Sequence, residues 1–314
     1  MQTQLELVTS GKSKAMALFD EINKKGGPDI SDYNALDKCI AAIPKSPGPG
    51  LIDLDDIERI KEQCLFLKES SSVMGHIKLK PLGYAGDYQI IDRIYEKKVS
   101  GKFFKWDQYS LANPAAEAVR NRKAFFKRFI AEKLKKQESI ELLNIASGPA
   151  RDLKELYDGI DPRRLKATCV EMDERAIDFA KKLCGDYTAR IEFINQNIFK
   201  FHTAKKFDVI WSAGLFDYFN DKTFVQLLKS QLLNLKEGGE ICIGNFSKDN
   251  PGRSYMEIFG EWFLNHRSRE ELIELAMLAG AEQNQVTIDQ EPLKVNLFLR
   301  VNKSVTGMEK LCPV

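Results

Sequence analysis

The sequence is poor in the residues that most metal and nucleophile chemistry needs. It has three histidines, His76, His202 and His266, far apart along 314 residues. A metal site or a Ser-His-Asp triad has little to draw on, and no metal site is expected. The six cysteines (Cys39, Cys64, Cys169, Cys184, Cys242 and Cys312) form no C-x-x-C pair. That spacing argues against a zinc site or a disulfide framework and for reduced thiols, hence a cytoplasmic protein. There is no excess of charge of one sign. Lys+Arg is 47 against Asp+Glu 45, a net charge of +2. The basic footprint of a nucleic-acid binder is missing from that balance, so no nucleic-acid partner is expected. No apolar run approaches the roughly 18 residues of a membrane span. The opening MQTQLELVTSGKSK has no apolar stretch after a basic start, so no secretory signal is read.

What is present is 43% hydrophobic and 29% charged residues, the balance of a globular chain with a real core. Residues 1–135 read as a helical cap or substrate domain. Apolar positions Met16, Leu18, Phe19 and Ile22 carry a helical period over Ser13 to Lys25, stopped by Gly26, Gly27 and Pro28. Further helices are expected from about Ser31, as N-cap, to Ala42, from Leu54 to Lys68, from Tyr88 to Lys97, and from Pro114 to about Lys136. PKSPGPG (44–50) reads as a loop.

From residue 136 the grammar changes. Short apolar strands at 141–146, 166–171, 191–194, 207–212 and 239–245 alternate with helices near 150–157, 173–184, 221–235 and 268–279. Alternation implies a doubly wound parallel sheet with helices on both faces. The last two strands, near 285–290 and 294–302, are joined only by Glu291, Pro292 and Leu293. Parallel neighbours need a long crossover, so this pair is expected to be an antiparallel hairpin. A mostly parallel seven-stranded α/β sheet ending in a reversed hairpin results. A dinucleotide-binding dehydrogenase would instead continue with another βαβ unit.

The first strand runs into Ala146-Ser147-Gly148-Pro149-Ala150-Arg151-Asp152. In such sheets ligands bind at the carboxyl ends of the strands, and small residues let the backbone approach them. A G-x-G-x-x-G register would need glycine at Ala146 and Arg151, which disfavours a dinucleotide. Glu171 ends the second strand, where an acid can accept from both hydroxyls of a ribose. Asp173 reads as the N-cap of the next helix. Asn197 and Ile198 after the third strand suit an adenine amino group and an apolar contact; a plain turn asparagine is the alternative. Ala213 and Gly214 after the fourth strand again permit close approach.

On these residues the core from about 137 to 302 resembles class I S-adenosylmethionine-dependent methyltransferases, with their Rossmann-like fold. It departs from the usual acid-x-G-x-G-x-G at Asn144, Ala146 and Ala150. The resemblance implies S-adenosyl-L-methionine as cofactor, held by Ala146, Ser147, Gly148, Arg151, Glu171, Met172, Asn197, Ile198, Ala213 and Gly214. Three further segments are GYAGDY (83–88), AVRNR (118–122), and Gly244-Asn245-Phe246 with Asn250, Pro251, Glu257, Trp262 and Arg267. With GLFDYF (214–219) they are similar to a bacterial subgroup that includes the enzyme proposed to make a 3-hydroxy fatty acid methyl ester signal. That similarity implies a small-molecule acceptor.

Methyl transfer is an in-line displacement, helped mostly by positioning and desolvation. A carboxylate acceptor needs a cation or donors to hold it, for which Arg120, Arg122, Arg267 and Tyr218 are candidates. A hydroxyl or amine is helped by a base, for which Asp217, Asp87, Glu257 and His266 are candidates. Asp217, Tyr84, Tyr88 and Arg267 are taken as the catalytic set, and O-methylation of a carboxylate or hydroxyl as the reaction. An RNA methyltransferase and a non-catalytic adenosylmethionine-binding protein are the alternatives. The oligomeric state stays open, a homodimer included.

Overall fold

The computed structural model describes residues 14–43 and 54–304. The expected loop 44–50, the chain start and Cys312 lie outside the described residues. No helix among them is long and apolar enough to cross a membrane. The chain divides into two compact units, Met1–Glu117 with Pro251–Phe263, and Ala118–Asn250 with Leu264–Val314.

The first unit is helical, as its sequence requires. A helix over 14–24 is followed by Tyr33–Ala41, Leu54–Gln63, Val73–Leu79, Tyr88–Glu96 and Phe104–Ala112, and the later segment adds Arg253–Phe259. Ser31 is not a cap: it sits inside the 3-10 turn Ile30–Asp32. The core is aromatic. Phe66 stacks on Trp106 at 4.1 Å, Tyr109 meets Tyr255 edge-on at 5.1 Å, and Phe259 stacks on Phe19. Asp107, fully buried, ties the connections together by accepting from Val73 N, Ser100 N and Arg93 Nη2. The helix Val73–Leu79 fits only because residue 75 is glycine. A Cβ there would stand 2.2 Å from Glu69 O and 2.3 Å from Phe66 O.

The second unit is built on seven strands: β1 Ile140–Ile145, β2 Leu165–Glu171, β3 Ile191–Asn195, β4 Phe207–Ser212, β5 Leu235–Phe246, β6 Val286–Gln290 and β7 Asn296–Asn302. Their order is β3-β2-β1-β4-β5-β7-β6. β1 to β5 are parallel, and β7 runs antiparallel to both β5 and β6. This is the expected sheet. β5 starts earlier than expected, with a register shift against β4. Gly239 permits the irregularity, because a Cβ there would meet Lys236 O, Phe207 O and Asp208 O within 3.2 Å.

Alternate strand residues cover opposite faces. Leu142, Trp211 and Phe298 pack with Phe125, Phe126 and Phe129 of the helix Pro114–Leu134 and with Leu153 and Leu156 of Arg151–Tyr157. Leu143, Ile145, Ile210 and Ile241 pack with Phe224 and Leu228 of Asp221–Leu232 and with Leu272 of Arg269–Leu278. The order reverses between β1 and β4, which opens a crevice at their carboxyl ends.

One charge is sunk into this unit for structure. Glu240 on β5 has no exposure. Its carboxylate takes Arg300 Nε at 2.6 Å and pairs with Lys133. Glu240→Ala should therefore destabilise by about 1–3 kcal/mol, the cost of leaving the partly exposed Lys133 and Arg300 Nε without their acceptor; denaturant unfolding of the full chain measures it.

Candidate active site

The turn after β1 is held in an unusual shape. Ala146, Gly148 and Ala150 all have positive φ, at 52°, 53° and 50°. A side chain in the left-handed region costs about 1–2 kcal/mol, so the two alanines hold strain at this one turn. A Cβ built on Gly148 would meet nothing within 4 Å, so Gly148 borders open space. Gly148 N donates to Glu171 Oε2 at 2.9 Å.

Glu171 closes β2 and gathers the site. Besides Gly148 N, its carboxylate accepts from Met172 N at 2.8 Å and Asp173 N at 3.0 Å through Oε1. A carboxylate offers about four acceptor positions, so at least one remains for a ligand hydroxyl. Asp173 caps the helix Glu174–Cys184 by accepting from Arg175 N, as expected. Met172 beside it is 66% exposed, a large apolar side chain at the mouth of a polar turn. Asn197 uses its amide oxygen to cap the turn Ile198–Lys200, accepting from Phe199 N at 2.9 Å. The turn reading of Asn197 thus holds, and its second lone pair and its NH2 remain for a ligand. Ile198 is buried next to it. Ala213 and Gly214 are half-buried after β4; Ser147 is buried and Arg151, half-buried, opens its helix.

The GLFDYF segment is fixed by two side chains. Asp217, buried, accepts from Phe246 N at 2.7 Å, and its backbone carbonyl accepts from Asn265 N and Nδ2. Burial pushes the Asp217 carboxyl up to about 7, against the opposing pull of the Phe246 N–H and of Arg122 and Arg267. Arg267 makes five hydrogen bonds: to Asp221 Oδ1 through Nε and Nη2, to Phe216 O and Asn245 Oδ1 through Nη1, and to Phe219 O through Nη2. A guanidinium has five N–H groups. Arg267 therefore fastens the segment and has no donor left for an acceptor, which corrects the anion-holding part expected of it.

The other candidate bases are also engaged. His266 donates from Nδ1 to Leu264 O and accepts at Nε2 from Asn250 Nδ2, which marks a structural histidine. Glu257 pairs with Arg253. Asp87 caps Tyr88–Glu96 through Gln89 N and Ile90 N and meets His76 Nε2 at 2.8 Å. In that GYAGDY segment Gly83 and Gly86 take φ of 97° and 73°, Tyr84 is half-buried, and Tyr88 is buried. These residues belong to the first unit, whereas Asp217, Arg267, Glu171 and the β1 turn belong to the second. Sequence reasoning missed Asn245, whose side chain bridges Phe246 O, Asn265 O and Arg267; only its place in the Gly-Asn-Phe motif pointed to it.

A family model described as a methyltransferase domain matches residues 142–239. Residues 142–239 thus resemble a methyltransferase domain. The cofactor expected of it is S-adenosylmethionine, and the turn at Gly148, Glu171 and exposed Met172 fit a nucleoside with a ribose diol. No curated protein matches the chain. Among solved structures it is similar to an exported-protein candidate from Bordetella parapertussis, with TM-score 0.63 and 14% identity over 88% of this chain and 96% of the other. It is also similar to an O-methyltransferase candidate from Nostoc punctiforme, with TM-score 0.51 and 13% identity over 76% of this chain and 71% of the other. At such identities these likenesses speak for the fold, which is that of class I methyltransferases, and for nothing finer.

The strained turn makes a prediction about the methyltransferase domain. Ala146→Gly should stabilise it by about 0.5–1 kcal/mol, since relief of left-handed strain exceeds the added backbone entropy of glycine. A raised melting temperature is expected; a lowered one would contradict the strain.

Proposed function

We propose that this chain transfers the methyl group of S-adenosylmethionine to an oxygen of a small molecule, a carboxylate or a hydroxyl, and that residues 1–135 select that acceptor. The observation that carries the reading is the Glu171 carboxylate, held by three backbone N–H groups at the end of β2 beside the open turn at Gly148. Its remaining acceptor capacity lies at the carboxyl end of β2, the end at which such sheets bind ligands.

When bound, the cofactor supplies an electrophilic methyl group on a sulfonium. Glu171 would hold the ribose, with Met172 and Ile198 on either side of the base and Asn197 at its edge. Ala146, Ser147, Gly148 and Arg151 would take the methionyl end, with Ala213 and Gly214 across the crevice. Asp217 is the proton acceptor for a hydroxyl acceptor, since its carboxyl changes state near neutral pH. Tyr84 and Tyr88 are assigned to contact with the acceptor. Arg267 is a positioning residue, through the segment it fastens. The near-neutral charge suits a small molecule better than a nucleic acid, and the four sequence motifs similar to the bacterial subgroup with a fatty-acid ester product favour an acid.

Glu171→Ala should weaken binding of S-adenosylmethionine by about 1–3 kcal/mol, the loss of charge-assisted hydrogen bonds. Calorimetry on the folded variant tests this; undiminished affinity removes Glu171 from the site. Turnover of a panel of fatty and aromatic acids and phenols tests the acceptor, and methylation of RNA alone would overturn it.

The proton path has its own test. Asp217 accepts a proton only when ionised, so kcat/KM with a hydroxyl acceptor should rise with pH and level off above about 7. Asp217→Asn should lose that dependence along with most of the rate. A carboxylate acceptor needs no base and should give a flat profile. A flat profile with a hydroxyl acceptor would take Asp217 out of the proton path.

A further inference from the structure

Arg122 lies on the helix Pro114–Leu134, three residues before Phe125 and four before Phe126, whose side chains pack on the sheet. It is 5% exposed. Its Nε–H has no acceptor, and it forms no ion pair with a described carboxylate. A buried guanidinium with an unpaired N–H is a costly arrangement. The other buried charges of this unit differ: Glu240 is paired with Lys133 and Arg300, and every N–H of Arg267 is taken.

The surroundings are shaped around this side chain. A Cβ on Gly214 would stand 2.5 Å from Arg122 Nη1 and 3.3 Å from Cζ, and one on Gly244 would stand 3.5 Å from Cδ. Both glycines are at the carboxyl ends of the central strands, Gly214 just beyond β4 and Gly244 in β5. Glycine at 214 leaves the guanidinium against bare backbone, whereas at Gly244 the first obstacle to a Cβ is Ala213 O, at 2.4 Å. Asp152 and Asp217, both buried, feel its positive charge, and neither is bonded to it.

From this geometry we infer that Arg122 is the carboxylate receptor of the site, binding a singly charged carboxylate by its guanidinium edge. The inference rests on the methyltransferase reading. A planar fork matches a carboxylate in a two-pronged way. The two flanking acids disfavour a multiply charged anion such as phosphate more than a singly charged one. Two sources supply that chemistry: the α-carboxylate of the cofactor, or a carboxylate on the acceptor.

Calorimetry on the full chain separates them. The variants are Arg122→Gln and Gly214→Ala; the latter shifts only the flexible end of Arg122 and so keeps the fold. The probes are S-adenosylhomocysteine, then 5′-methylthioadenosine, which has the nucleoside and thioether but no amino-acid end, and finally octanoate added to protein saturated with S-adenosylhomocysteine. If the cofactor is the source, both variants should bind S-adenosylhomocysteine at least ten-fold more weakly and 5′-methylthioadenosine unchanged. If the acceptor is the source, both nucleosides bind Arg122→Gln unchanged and octanoate binding, present in the wild type, is lost in it. Equal weakening of the two nucleosides, or no change with any probe, overturns the inference and leaves Arg122 a structural charge. A wild type that binds neither nucleoside overturns the methyltransferase reading itself, and the inference with it.

Discussion

The carboxylate of Glu171 is the joint on which the cofactor end of this domain depends. It reaches from the end of β2 to the turn after β1 and takes the N–H of Gly148, while its other oxygen takes the two N–H groups that follow it in the chain. Those three donors would otherwise point at solvent or at one another. With the acid in place, two turns that are 23 residues apart share one electrostatic centre, and both become rigid before any ligand arrives. Preorganisation of this kind lowers the entropy a ligand must overcome. It also explains why the turn tolerates alanine in left-handed backbone at 146 and 150: the surrounding bonds over-determine the shape, which is the condition under which strain persists.

Buried charge in this unit divides into two kinds. Around Glu240 the charges cancel locally, and the aromatic ring of Phe129 lies against both cations. Around Asp217 they do not. Here a carboxyl raised to about 7, a second at Asp152 raised to about 6 by burial, and the guanidinium of Arg122 lie near one another without direct bonds. A fold under selection for stability alone removes such groups or pairs them. Perturbed groups at the carboxyl ends of strands cluster at functional sites, and the proposed site rests on that association.

The sheet was legible because its rules are local. Parallel strands buried on both faces read as apolar runs, and the short connection before β7, five residues in the structure where three were expected, excluded a parallel pair. The order in which Glu171 follows Gly148 was also visible, and so was the cap at Asp173. Less local features were not. The helix Val73–Leu79 is seven residues long with a glycine inside, and only the nearby carbonyls of Phe66 and Glu69 explain why that glycine is needed. Phe104–Ala112 carries buried side chains on most sides, so it lacks the one-sided period that identifies a helix. Arg267 looked like an anion-binding residue because its partners, two carbonyls and Asp221, are 46 to 51 residues away.

Arg122 and Arg267 illustrate how little residue type says without its surroundings. Both are almost fully buried and both sit near Asp217. Arg267 meets carbonyl oxygens and an acid that satisfy every N–H, so adding a ligand there would require breaking bonds already made. Arg122 meets glycine backbone at Gly214, which offers contact but no acceptor to Nε. An incoming carboxylate would displace no partner of Arg122 Nε and would bond a guanidinium that the two neighbouring acids do not. Binding energy is largest where the free protein is least satisfied, and by that measure the two arginines have opposite parts: one holds the loop that bears Asp217, and the other waits for an anion beside it.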